Sequence, residues 1–242
     1  MALFLDLDNT LYDAKFAYAY TIFNLEKEWI KKKYTGGFLG LYEQARRETK
    51  ENLLNHSSNR LRILYFKRMF EEIGIPLPIK ESLEFEKLYY KYFMQGIKEF
   101  YKANLENYKI VFSILEKLSK KTKIIILTNE NLRTQFIKLS AFFPSNLNIT
   151  LITSEEVGFE KPDKRFFKYA ILKSKSKASE STMIGDNLVD DIQGALGSKI
   201  SAIHILSIYG DESHSRKKTR KNGDYLETKS LIAALNLVLK TI

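Results

Sequence analysis

Ala2-Leu3-Phe4-Leu5-Asp6-Leu7-Asp8-Asn9-Thr10 is the stretch that decides the reading of this 242-residue chain. Four successive apolar residues fit a strand buried on both faces, as in a parallel sheet covered by helices. Two carboxylates two residues apart then fall where that strand runs out into a loop. In open α/β sheets ligands gather beyond the carboxyl ends of the strands.

Three more segments follow in order: Leu127-Thr128-Asn129, Lys161-Pro162-Asp163, and Gly185-Asp186 with Asp190-Asp191. Each lies at the end of a predicted strand or just after it. Strands are expected over residues 123–127, 148–152, 181–184 and 202–206, where β-branched and apolar residues cluster. Helices are expected over 131–141, 163–173, 188–196 and 228–239, with apolar residues at steps of three and four, and Gly197 as a C-terminal stop. The alternation predicts an α/β fold with a Rossmann-like parallel sheet core covered by helices.

Residues 13–105 read differently. Phe16, Tyr20 and Phe23, then Leu61, Leu64, Tyr65 and Met69, follow a helical period, and no strand pattern intervenes. Breaks at Thr35-Gly36-Gly37 and Gly74-Ile75-Pro76-Leu77-Pro78 predict about four helices. The expected layout is a catalytic core of residues 1–12 and 106–242, with an all-helical cap of residues 13–105 inserted after the first motif. Its two connections would serve as hinges. This region holds 18 of the 31 aromatic side chains, Trp29 included. Aromatics at helical spacing are expected to pack a core, with a few left to contact substrate.

The absence of cysteine rules out disulfides, Cys-containing zinc sites and a thiol nucleophile, and fits a reducing compartment. His56, His204 and His214 form no ligand spacing. The first predicted strand begins at Ala2, so a cleaved leader would remove the acidic motif, and a cytoplasmic location is expected. The longest apolar runs fall well short of the ~20 residues of a membrane helix, so no span is expected. Lys and Arg exceed Asp and Glu by 39 to 29, a net charge of +10 that permits phosphate-bearing partners. The densest basic run, residues 216–221, is expected to be a solvated loop, and a nucleic-acid partner is not expected.

Together the four segments supply what phosphoryl transfer needs: a nucleophile, charge neutralisation and a proton donor. Asp6 is the expected nucleophile, forming an aspartyl phosphate that water then breaks down. Asp8, on the same side of an extended segment, would protonate the leaving alcohol and offer its carbonyl to a metal. A phosphate dianion beside two carboxylates calls for Mg2+, with Asp186 as a further ligand. The spacing leaves open whether Asp191 or Asp190 completes the set. Thr128 and Asn129 would hold phosphate oxygens, and Lys161, before a proline that helps start the next helix, would add a positive charge.

These segments resemble motifs one to four of the haloacid dehalogenase-like hydrolase superfamily, and the helical insertion resembles its C1 cap. The resemblance implies Asp6 as nucleophile, Asp8 as acid and base, Thr128 and Lys161 as phosphate binders, and Asp186 with Asp191 as metal holders. The expected activity is a magnesium-dependent phosphomonoesterase acting on a small phosphate ester. A nucleoside monophosphate is slightly favoured over a sugar phosphate because of the aromatic-rich insertion. The rival readings are a phosphomutase with the same intermediate and a non-enzymatic polyanion-binding protein. A dehalogenase, which attacks carbon, would have no use for Asp8.

Overall fold

The computed structural model describes residues 1–54, 56–210, 215–220 and 222–242. Contacts divide the chain into two compact units. One comprises Met1–Asp13, Tyr101–Asn129 and Phe143–Ile242, and the other Ala14–Phe100 and Glu130–Phe142.

In chain order the strands are β1 (Ala2–Leu5), β2 (Lys123–Thr128), β3 (Ile149–Thr153), β4 (Ser181–Gly185), β5 (Ser201–Ile205), β6 (Ser215–Arg220) and β7 (Gly223–Thr228). The helices are α1 (Ala14–Lys31), α2 (Phe38–Asn52), α3 (Arg62–Glu72), α4 (Ile79–Ala103), α5 (Leu105–Ser119), α6 (Leu132–Leu139), α7 (Ser154–Val157), α8 (Lys164–Ser174), α9 (Gly194–Gly197) and α10 (Leu231–Thr241). A π-helical turn over Leu188–Gln193 leads into α9.

The first unit is built on a seven-stranded sheet of order β3-β2-β1-β4-β5-β7-β6, parallel except for β6. The apolar run of β1 explains its central place: Phe4 lies opposite Ile125 and Met183, and Leu5 opposite Ile126 and Ile184. All four residues of β1 are fully buried, as a strand covered on both faces must be. On one face Phe4, Leu127 and Met183 pack with Phe166, Phe167 and Ala170 of α8 and Ala195 of α9. The other face carries α5 and α10. The predicted fold class therefore holds.

Three local readings are corrected. The basic run is not a loop: Arg216–Arg220 lies in β6, antiparallel to β7 and exposed throughout, while Lys221 and His214 fall outside the described residues. An outermost strand needs no apolar alternation, and exposed lysines suit it because they discourage further strand pairing. Lys217 pairs with Asp224 at 2.5 Å and Lys218 with Glu227 at 3.6 Å. The last helix begins at Leu231 rather than 228, because Thr228 closes β7 and the Ser230 hydroxyl caps the helix by accepting from Ala233 N at 3.2 Å. Pro162 does not open α8 either; the Asp163 carboxylate caps it by accepting from Arg165 N at 2.8 Å.

The second unit is helical, built from α1, α2, α3, most of α4, and α6. Its centre is aromatic. Trp29 stacks on Phe70 at 5.4 Å and meets Phe85 edge-on at 5.7 Å, while Phe38 and Tyr42 stack at 5.8 Å. The strand–helix alternation predicts α6 on the sheet, yet it joins this unit. Its buried positions are Thr134, Gln135 and Lys138, which make no apolar stripe for a sheet face. Instead Thr134 shares a hydrogen bond with Tyr90 at 3.0 Å and Lys138 lies over the Phe93 ring.

Helices α1 and α4 approach closely at Gly96, where an added Cβ would lie 2.9 Å from the Ala17 Cα. Alanine would gain about 0.8–1.0 kcal/mol in helix propensity, whereas overpacking a fixed backbone contact costs about 1–3 kcal/mol. Gly96→Ala is therefore expected to lower stability by up to roughly 2 kcal/mol in denaturant unfolding; a higher midpoint would show that the contact yields.

Candidate active site

The strand order gathers the acidic segments within the sheet unit. Asp6 follows β1 and its N–H donates to Ile184 O at 2.9 Å, so the first motif stays registered on β4 beyond the end of β1. The chain then turns: Leu11 N donates to Leu7 O at 2.9 Å, and Asn9 takes a left-handed conformation at φ 60°. Asparagine tolerates that conformation better than most residues.

Lys161 is the hub. Its ammonium donates to Asp6 Oδ1 at 2.6 Å, to Asp191 Oδ1 at 2.6 Å and to Leu127 O at 2.8 Å, so all three of its protons have acceptors. The loop carrying it is pinned by Asn129, whose Oδ1 accepts from Lys161 N at 2.7 Å and whose Nδ2 donates to Lys161 O at 2.8 Å. The Asn129 side chain thus positions Lys161, and any phosphate contact from this residue falls to its backbone N–H. Thr128 is buried at the last position of β2.

Asp6, Asp186 and Asp191 each bring a carboxylate oxygen to within 4.8 Å of the others. Asp191, rather than Asp190, joins the cluster. It is fully buried and accepts from Asn187 N at 3.1 Å, while Asp190 receives the Asn187 amide at 3.3 Å. Room for Asp191 depends on Gly185, where a Cβ would stand 2.2 Å from Asp191 Oδ2. Asp8 is not in the carboxylate cluster, which leaves its backbone carbonyl as its possible metal donor.

Burial pushes the Asp6 carboxyl up to about 7 against the pull of Lys161, with Asp191 and Asp8 adding to the rise. Burial, then the charge of Asp6, raises Asp186 to about 6. Asp191 is raised by burial despite Lys161. Burial opposes the charge on Lys161, but Asp191 and Asp6 outweigh it and hold the ammonium above its usual range. One ammonium does not balance this cluster of acids. An all-oxygen donor set of three close, partly desolvated carboxylates fits a hard divalent cation such as Mg2+.

Several neighbours carry no motif. The Tyr12 hydroxyl donates a short hydrogen bond to Asp8, and Thr10 Oγ1 donates to Asp6 Oδ2 at 3.2 Å. His204 Nε2 lies 3.0 Å from Asp186 O, a contact that fixes the backbone at that acid. Tyr12 and Thr10 stand four residues after the acids they touch, a spacing visible in sequence. The link from His204 to Asp186 exists only through the pairing of β4 with β5.

Residues 1–198 match the family model described as haloacid dehalogenase-like hydrolase. The chain is 29% identical over 198 residues to the ribulose-1,5-bisphosphate 5-phosphatase of Halopiger xanaduensis, covering 78% of this chain and 77% of that one. It is 31% identical over 111 residues to the glyceraldehyde 3-phosphate phosphatase of Methanothermobacter thermautotrophicus, covering 46% and 48%. Among solved structures, a 2-haloacid dehalogenase from Pseudomonas syringae superposes with a TM-score of 0.66 at 20% identity over 100% of this chain and 99% of that one. A phosphatase from Thermococcus onnurineus superposes at 0.55 with 19% identity over 98% and 97%. At such identities the structures speak for the fold. The sequence match over most of the chain makes this protein a member of the haloacid dehalogenase-like hydrolase family.

Proposed function

We propose that the protein is a magnesium-dependent phosphomonoesterase that works through an aspartyl phosphate on Asp6. The observation that carries this is the convergence of Asp6, Asp186 and Asp191 within 4.8 Å, with Lys161 bound to two of them. Both sequence relatives described above are phosphatases by name.

An oxygen of Asp6 attacks phosphorus as the bond to the ester oxygen breaks, and Asp8 delivers a proton to the departing alkoxide. Asp8 then takes a proton from water, whose oxygen attacks the aspartyl phosphate and releases inorganic phosphate with Asp6 regenerated. The Tyr12 hydroxyl holds Asp8 in place for both transfers. Thr128 and the Asn129 N–H bind phosphate oxygens, and Lys161 supplies charge against the phosphoryl group. Magnesium, held by Asp6, Asp186, Asp191 and the Asp8 carbonyl, would neutralise the phosphate dianion.

The helical unit serves as the cap that selects substrate. Its aromatic residues Trp29, Phe38, Phe70 and Phe85 are buried against one another, which removes the reason for favouring a nucleobase. The named relatives act on phosphorylated sugars, and a small sugar phosphate is the preferred substrate here. No helix among the described residues is long and apolar enough to cross a membrane. The cysteine-free chain suits the cytoplasm.

Asp6→Asn keeps the shape of the side chain but removes its nucleophilicity, and turnover of phosphate esters should fall by at least ~10³-fold. Steady-state phosphate release close to that of the unaltered protein would refute the role of Asp6. Treatment with EDTA should silence the enzyme and magnesium restore it; full activity in chelator would exclude the metal.

The raised carboxyls give the metal a pH signature. Carboxyls held at about 7 and about 6 when folded, above the ordinary aspartate value of about 4, weaken the metal-free fold as pH rises through the window between about 4 and about 7. A bound cation removes this effect above it, while protons compete with the cation below it. At a hundredfold excess over Kd magnesium should add ~2.7 kcal/mol, or roughly 5–10 °C in Tm, at pH 8 and much less at pH 5.5. An equal shift at both values would contradict a carboxylate site.

A further inference from the structure

Of the three clustered acids, Asp186 is held differently from the other two. Lys161 donates to both Asp6 and Asp191; Thr10 adds a second donor to Asp6, and the Asn187 N–H adds one to Asp191. The Asp186 carboxylate receives a hydrogen bond from its own backbone N–H, with no side-chain donor or ion pair among the described residues. Its place is therefore set by the main chain that carries it. That main chain has just left the sheet, because β4 ends at Gly185 and its pairing with β5 ends at Gly185 opposite His204.

The Asp186 carbonyl is the first beyond this ladder, and His204 Nε2 lies 3.0 Å from it. A carbonyl only accepts, so Nε2 carries the hydrogen and donates it. The ring is itself fixed from the other side. Glu227, paired with His204 across β5 and β7, places Oε2 3.5 Å from Nδ1, and Lys218 stands 3.6 Å from the other oxygen of Glu227. Tyr225 meets the ring edge-on at 6.3 Å.

The strand around His204 makes this arrangement costly. In Ser201-Ala202-Ile203-His204-Ile205 the last four residues are buried, and the imidazole, 6% exposed, stands where strands covered on both faces carry aliphatic side chains. A polar ring is buried at a penalty unless it is hydrogen-bonded. Here the short bond goes to the residue that bears the otherwise unsupported acid.

We propose that His204 is a positioning residue for the cation: by holding the Asp186 carbonyl it orients the one acid of the cluster that no side chain holds, and so sets the affinity for magnesium. This role rests on the magnesium-dependent reading of the site. Contacts to the groups behind a metal ligand fix its direction, and losing one typically costs roughly 10–100-fold in metal affinity. His204 acts through Asp186 and touches no reacting atom.

The test titrates magnesium into the metal-free full chain by calorimetry, for the unaltered protein and for His204→Leu, His204→Asn and His204→Gln. The amide nitrogen of glutamine stands as many bonds from Cβ as Nε2 does, so it can reach the carbonyl; that of asparagine is one bond shorter and cannot. The magnesium Kd should rise about tenfold or more in His204→Leu and His204→Asn, and stay within about threefold in His204→Gln. Leucine leaves the Asp186 carbonyl without its donor and could disturb folding. The two amides bury similar polarity, so the difference between them reports the bond, with denaturant midpoints in chelator showing that both variants fold. A merely structural role would lower both midpoints and leave the two Kd values alike.

Equal affinities in His204→Asn and His204→Gln, whether both weakened or both intact, would overturn the role of His204. An unaltered protein that binds no magnesium would sink the magnesium reading itself, whereas magnesium binding that no substitution at His204 alters would sink this role alone.

Discussion

A single ammonium group holds the chemistry of this protein together. Lys161 reaches Asp6, Asp191 and the Leu127 carbonyl from a loop that precedes α8. It thereby ties the ends of β1 and β2 to the π-helical turn that carries Asp191. Removing it would leave buried carboxylates facing one another, which is far costlier than losing an exposed ion pair. The surrounding details serve the same point: Asn129 clamps the backbone of Lys161, and Gly185 gives way to the Asp191 carboxylate.

Two opposing effects therefore act on the same acids, burial and the charge of Lys161. In the structure Lys161 stands against Asp6 and Asp191, yet the carboxyls of Asp6 and Asp186 remain well above their ordinary values. Burial outweighs one lysine. The site is short of positive charge, a condition that would favour a divalent cation. In the helical unit burial and the nearby Arg46, Arg60 and Arg62 press the Lys50 ammonium down to about 8. The surplus of carboxylate around Lys161 is a feature that local sequence does not show.

Much of the sheet was legible because it depends on local pattern. The run from Ala2 to Leu5 could only be a strand covered on both sides, and the acids after it fell at a strand end for that reason. The choice between Asp190 and Asp191 was not legible, since it turns on which carboxylate faces Gly185 across the π-helical turn. Strand β6 escaped notice because an exposed edge carries no alternation; only Asn222-Gly223 marks its turn. Helix α6 has the helical period of a sheet-covering helix, but its buried side is polar, so tertiary contacts decided where it packs. His204 meets Asp186 through strand pairing, a relation that no spacing along the chain records.

The account stands on Asp6 accepting a phosphoryl group beside a bound cation. The most direct measurement is a crystal structure of the protein grown with magnesium and beryllium fluoride, a mimic of the aspartyl phosphate. The account predicts continuous density from an Asp6 carboxylate oxygen to beryllium, with the metal held by Asp6, Asp186 and Asp191. Beryllium fluoride bonded to another residue, or a metal found away from these three acids, would contradict it.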